Sequence, residues 1–214
     1  NLIPDTMSVT VQIPAELDVT LEAPDTVDVG DTFVVTGTVE NVGEADAVDV
    51  SAQLAATAGA DLVSDSVQDI GLIAGEQSAT VIWTLSCTSA ESVTVTVTAD
   101  GFDGNSSAPL YDEASAALDQ LEADIEVSPL SLAVTLYVGE ASTETLTISN
   151  VGDADLEWSL ADPSEAWLDA APLIGTVVPA GSADVTVDFD ATGLAAGEYT
   201  ATLTISSNDP DEAQ

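Results

Sequence analysis

Lysine, arginine and histidine are all absent from this sequence, whereas aspartate and glutamate together number 39. No side-chain salt bridge can therefore form within the chain. The folded state carries self-repulsion that salt or bound cations must screen. Nothing neutralises a phosphate, so nucleic acid is excluded as a direct partner. An anionic membrane surface is disfavoured for the same reason. Most catalytic chemistry goes too: there is no imidazole base, no Schiff-base amine and no guanidinium clamp. A carboxylate pair of the glycosidase kind remains open. With so many acids, however, two will fall close somewhere by chance, and the sequence reads as non-enzymatic.

Cysteine is nearly absent as well. Cys87 is the single one, so no intrachain disulfide exists. It ends the strand-like run Trp83-Thr-Leu-Ser-Cys87, which favours a small buried residue over an interchain disulfide. No apolar run reaches the ~18 residues of a membrane-spanning helix, and direct membrane insertion is not expected. No secretory leader is read, so the chain is taken as a mature or excised segment. Aromatics make up only 4% of the sequence, so the cores must be built mainly from Val, Leu, Ile and Ala. Trp83 and Trp158 alternate with polar neighbours and read as core. Trp167 follows Pro163-Ser-Glu-Ala and is the candidate for stacking on a sugar.

What is present points to β-structure. Apolar residues make up 45% of the 214 residues, enough for a real core, and the length suits two domains. Val and Thr are abundant, which favours sheets over helices. Apolar and polar residues alternate in Leu17 to Leu21, Phe33 to Val39, Ala79 to Leu85 and Val93 to Val97. They alternate again in Thr145 to Ile148, Val185 to Phe189 and Tyr199 to Ile205. Period two with turn residues between runs describes half-buried antiparallel strands spaced as in a sandwich.

The chain repeats itself. Val29-Gly-Asp31, a strand and Asn41-Val-Gly-Glu-Ala-Asp46 recur as Val138-Gly-Glu140, a strand and Asn150-Val-Gly-Asp-Ala-Asp155. The predicted architecture is all-β: two tandem immunoglobulin-like antiparallel sandwiches over residues 16–122 and 123–214, with an N-terminal extra strand in 1–15. The Asn-Val-Gly-acid turns read as local left-handed turns, a metal site being the alternative. Asp112 to Glu122 (DEASAALDQLE) has helix-favouring composition. Its place in the order calls for a last strand, the reading favoured here.

The second half resembles the BACON and ASH-type immunoglobulin-like modules. The likeness rests on Val138-Gly-Glu140, Leu146-Thr-Ile-Ser-Asn-Val-Gly-Asp153, Leu156-Glu-Trp158, Pro179-Ala-Gly181 and Leu203-Thr-Ile-Ser-Ser-Asn-Asp-Pro210. The first half resembles, more loosely, the cell-adhesion-related CARDB-type modules, through Val29-Gly-Asp31, Asn41-Val-Gly43 and Ala74-Gly-Glu76. The resemblance implies a cell-surface or extracellular location and a spacer, adhesive or carbohydrate-binding role.

It also implies one more strand after Ser-Asn-Asp-Pro210, whereas Leu2, Ile3, Met7, Val9, Val11 and Ile13 form an alternating segment with no place in the first domain. Head-to-tail completion follows as an expectation. The leading segment of one copy would fill the open edge of the next, as β-strand addition or as covalent tandem repetition. The product would be a structural filament or surface layer, with copies of the chain as partners. The alternative is an adhesive or carbohydrate-binding accessory segment of a larger secreted protein, with glycans as partners.

Two acidic loops are candidate calcium sites. One contains Asp100, Asp103 and Asn105; the other contains Asn208, Asp209 and Asp211. Neither has the full spacing of an EF-hand, and ordinary turns are the competing reading. Asn105-Ser-Ser107 is also a candidate glycosylation sequon.

Overall fold

The computed structural model describes residues 8–211, and among them no helix occurs. The chain divides into two compact units between Gln120 and Leu121. Each unit is an immunoglobulin-like sandwich of antiparallel strands, as the alternation requires.

Unit 1 is built from β1 (Leu17–Glu22), β2 (Thr26–Asp28), β3 (Thr32–Asn41), β4 (Ala47–Ala56) and β5 (Ala60–Leu62). It continues with β6 (Val67–Ile73), β7 (Ser78–Cys87), β8 (Val93–Asp103) and β9 (Pro109–Leu121). One sheet has the order β1-β3-β7-β5 and the other β2-β9-β8-β4-β6. Period-two burial places Val35, Val39, Leu54, Trp83, Leu85, Val93, Val95, Val97 and Leu118 in one core. Trp83 also finds a partner for its indole N–H, the Ser66 carbonyl at 3.1 Å.

The helix-favouring composition of 112–122 is overridden. Residues 109–118 of β9 pair in register with β8, from Phe102↔Pro109 to Val93↔Leu118. An unpaired β8 edge would leave its N–H and C=O groups without partners, and pairing there outweighs local preference.

Unit 2 contains β10 (Ile125–Ser128), β11 (Ala141–Asn150), β12 (Leu156–Leu160) and β13 (Leu168–Ala171). It ends with β14 (Ile174–Val177), β15 (Ser182–Asp190) and β16 (Ile205–Ser207). Its sheets have the orders β10-β11-β15-β13 and β14-β12-β16. Ile148, Leu156, Trp158, Leu160, Val185 and Val187 lead its core. Gly30 and Gly139 have φ of +93° and +85°, and each lies in the turn before a long strand of its unit, β3 and β11 respectively. These repeated Val-Gly-acid turns need a residue without a Cβ.

The alternation of Tyr199 to Ile205 yields less strand than expected. Only Ile205–Ser207 is paired, because β12 is five residues long and its ladder ends at Leu160↔Ile205. The N-terminal segment likewise forms no strand within the described residues, and the first strand begins at Leu17. Val9 and Val11 are 87% and 85% exposed, and Ile13 is exposed as well. Leu2, Ile3 and Met7 lie outside the described residues.

Candidate functional site

The repeat motif Asn-Val-Gly-acid does not work as a left-handed turn. Gly43 and Gly152 are not among the positive-φ glycines. Each motif instead clamps the chain as it enters its unit. In unit 1 the carbonyl of Ile13 accepts the N–H groups of Glu44 and Ala45, at 3.1 and 3.0 Å. The Ile13 N–H donates to Glu44 Oε2 at 3.0 Å. In unit 2 the carbonyl of Glu122 accepts from Asp153 and Ala154, both at 2.9 Å. The Glu122 N–H donates to Asp153 Oδ1 at 2.9 Å.

Glycine is required because the backbones touch. A Cβ on Gly43 would lie 2.0 Å from the Pro14 carbonyl oxygen, and one on Gly152 would lie 2.3 Å from that of Glu122.

The asparagines tie the clamps together from inside. Asn41 is fully buried and donates from Nδ2 to the Ala45 and Ile73 carbonyls, at 2.8 and 3.1 Å. Its Oδ1 accepts from Glu16 and Gly43, both at 3.2 Å. Asn150 repeats the set. It donates to Ala154 and Val177 at 2.7 and 2.9 Å, and accepts from Gly152 and Asp124 at 3.1 and 3.4 Å. One buried carboxamide thus satisfies four backbone groups in each unit.

Two of the expected calcium ligands belong to the same constellation. Asp103 Oδ2 accepts the buried Ala15 N–H at 2.8 Å. Its Oδ1 takes the N–H groups of Asn105 and Ser106 and the Ser106 hydroxyl. Hydrogen bonds from Ser106, then Ala15, hold this carboxyl down at about 2. Asp209 is its counterpart, with Oδ2 accepting the Ile125 N–H at 2.9 Å and Oδ1 the Asp211 N–H at 2.9 Å.

The remaining candidates are dispersed. Asp100 accepts the Ser51 hydroxyl, and Asn208 bonds the backbone of Glu157 and Asp155. Asp211 is exposed. Among the described residues, no three acidic or cysteine side chains form a group that could hold a metal ion. Asn105 is exposed in the loop between β8 and β9, where its Nδ2 donates to Gln12 Oε1. Cys87 is buried, and burial pushes its thiol above the ordinary range.

The two units differ at one edge. In unit 1, β9 lies between β8 and β2. In unit 2, β16 takes the place of β8, and among the described residues no strand pairs with its outer side. The counterpart of β2, residues 135–137 ahead of Val138-Gly139, forms no strand either. Among the described residues, both flanks of the position that β9 fills are therefore without a pairing strand. Leu130, Tyr137 and Val138 are exposed on one flank, Tyr137 by 81%.

The other flank carries an aromatic cluster around Trp167, the candidate sugar-stacking residue. Its ring stacks on Phe189 with centroids 6.3 Å apart and meets Tyr199 at 6.2 Å. Trp167 is half-buried and packs against the core, while Tyr199 is 44% exposed. Phe189 and Tyr199 were not read as site residues from the sequence. Trp167 lies opposite no obvious partner in the linear order, and only the pairing of β13 with β15 brings Phe189 near it.

Residues 133–214 match the family described as HYDIN/CFA65/VesB-like, Ig-like domain. The match supports an immunoglobulin-like module in general and covers less than half of the chain. No curated protein matches the sequence. Several solved structures are similar. A protein of unknown function from Porphyromonas gingivalis W83 is 18% identical, with a TM-score of 0.37, over 92% of this chain and 94% of that one. Native alpha-2-macroglobulin from Escherichia coli, spanning domain MG7 to the C-terminus, is 14% identical with a TM-score of 0.43, over 69% of this chain and 24% of that one. The secreted serine protease VesC from Vibrio cholerae is 13% identical with a TM-score of 0.33, over 88% of this chain and 50% of that one.

Proposed function

We propose that this chain is a non-enzymatic structural unit of an extracellular filament or surface layer. Its sandwiches are joined head to tail by a β-strand that completes unit 2. The observation that carries the reading is that, among the described residues, no strand pairs with the outer side of β16, at the position where β9 covers β8. An unpaired edge beside a core is a template for another strand. The N-terminal segment supplies one, since Val9, Val11 and Ile13 alternate and stand exposed. A contact between two different surfaces of identical copies propagates without closing. The copies are separate subunits or successive repeats of one polypeptide. The acidic surface, with a formal charge of −39, keeps such a polymer hydrated and keeps its sides from adhering. The finer likeness to BACON, ASH and CARDB-type modules belongs to this reading, as does a surface location.

Electron microscopy and sedimentation of the full chain, beside a variant lacking residues 1–11, test it. That deletion spares Ile13 and its bonds to the Asn41 turn. Fibres or oligomers from the full chain alone support strand exchange. Equal assembly by both chains refutes it.

A second reading rests on the cluster of Trp167, Phe189 and Tyr199. In it the chain is a carbohydrate-binding accessory segment of a larger secreted protein. A glycan array with a Trp167→Ala control decides that case.

A further inference from the structure

The duplicated clamps set the segment ahead of unit 1 in register with β9, the segment ahead of unit 2. Ile13 and Glu122 are equivalent, because each carbonyl accepts the two N–H groups that follow the glycine of its Asn-Val-Gly motif. Val9 stands as far ahead of Ile13 as Leu118 stands ahead of Glu122, and Met7 corresponds in the same way to Ala116. Asp103 and Asp209 are also equivalent, through their bonds to Ala15 and Ile125. Counting back from them, Tyr199 corresponds to Val93 and Ala201 to Val95. In unit 1, Val93 lies opposite Leu118 and Val95 opposite Ala116.

The burial pattern agrees with this mapping. Leu85, Val93 and Leu118 are buried in one core in unit 1. Phe189 and Tyr199 hold the positions of Leu85 and Val93, yet Phe189 is only half-buried and Tyr199 is exposed. In unit 1 the residue that lies opposite Val93 is Leu118, and it is buried with Val93 and Leu85 in the same core.

Resting on the strand-exchange reading, we infer that Val9 of a second copy pairs across from Tyr199 and seats on the cluster formed by Trp167, Phe189 and Tyr199. The same count along the sequence makes Met7 and Ala201 the second pair to test. A β-branched residue opposite an aromatic is a favourable cross-strand pair. The cluster is then an apolar socket for a strand of this same protein, and residues 199–204 gain their ladder only when the strand arrives.

Oxidative cross-linking of the full chain tests the register. Opposed Cα atoms in an antiparallel ladder are close enough for a disulfide. Val9→Cys with Tyr199→Cys, and Met7→Cys with Ala201→Cys, are expected to give ladders of covalent multimers that reductant dissolves. The offset pair Val9→Cys with Ala201→Cys should give none beyond the background of the wild-type chain, whose Cys87 is buried. Multimers from the offset pair alone overturn this register and leave strand exchange standing. No multimers from any pair also overturn it, and sedimentation of the same chains as monomers then removes the exchange reading as well. Independently, a synthetic peptide of residues 1–13 added to the chain lacking residues 1–11 should shift the Trp167 emission to the blue, and a Val9→Asp peptide should not. Equal shifts from both peptides overturn the seat.

Discussion

Replacing Asn150 by alanine probes the clamp on which the second sandwich is hung. The carboxamide donates to two carbonyls at 2.7 and 2.9 Å and accepts from Gly152 at 3.1 Å, with a longer bond from Asp124 at 3.4 Å. Three good bonds at about 1 kcal/mol net each give a loss of about 3 kcal/mol. For a unit of this size, that lowers the melting temperature by roughly 12 to 24 °C. Circular dichroism gives the temperature, and hydrogen exchange with mass spectrometry assigns the loss to unit 2. Asn150→Asp separates donation from shape. It keeps the outline but sets a carboxylate against the Ala154 and Val177 carbonyls. It should be as damaging as alanine at neutral pH and should partly recover in acid, where the protonated group donates once. A loss below about 1 kcal/mol for Asn150→Ala, or an Asn150→Asp variant as stable as wild type, would refute the argument.

Three further outcomes follow from single residues. Ala180 has φ +57°, a left-handed conformation costly for a residue with a Cβ, so Ala180→Gly should stabilise unit 2 by up to about 1 kcal/mol in denaturant titration. The carboxyl of Asp103 is depressed from 3.8 to about 2 on folding, so its contribution is complete above the unfolded value and disappears as pH falls through about 2. The melting-temperature gap between wild type and Asp103→Asn should therefore be flat near neutrality and shrink across that window. Glu122 is shifted the other way, by burial and then by Asp211, Asp124, Asp153 and Asp209. Its charge opposes folding above the raised value, so Glu122→Gln should raise the melting temperature near neutral pH and leave it unchanged in acid.

Much of the fold was legible because β-structure writes a period of two into the chain. Val93 to Val97 and Phe33 to Val39 alternate in sequence and alternate in burial. The duplicated Val-Gly-acid and Asn-Val-Gly motifs announced two copies of one architecture. The chemistry of those motifs was not legible. Asn41 gathers groups from Glu16, Ala45 and Ile73, which only the folded chain brings together. Asp103 and Asp209 sit in acid-rich turns that look like cation loops. What sets their role is a buried backbone N–H from far away in sequence, at Ala15 and Ile125. Composition misdescribed 112–122 because a strand's stability comes from its neighbours and not from its own residues. Alternation overstated Tyr199 to Ile205 because the pattern runs on past the point where β12, its partner, ends at Leu160↔Ile205.

Amide hydrogen exchange of residues 199–207 in the chain lacking residues 1–11, before and after adding a synthetic Asn1–Ile13 peptide, tests whether the outer side of β16 takes up a strand. The account predicts slowed exchange confined to that stretch and to residues 135–137. Unchanged exchange there at saturating peptide, with the peptide still free in solution, would contradict it.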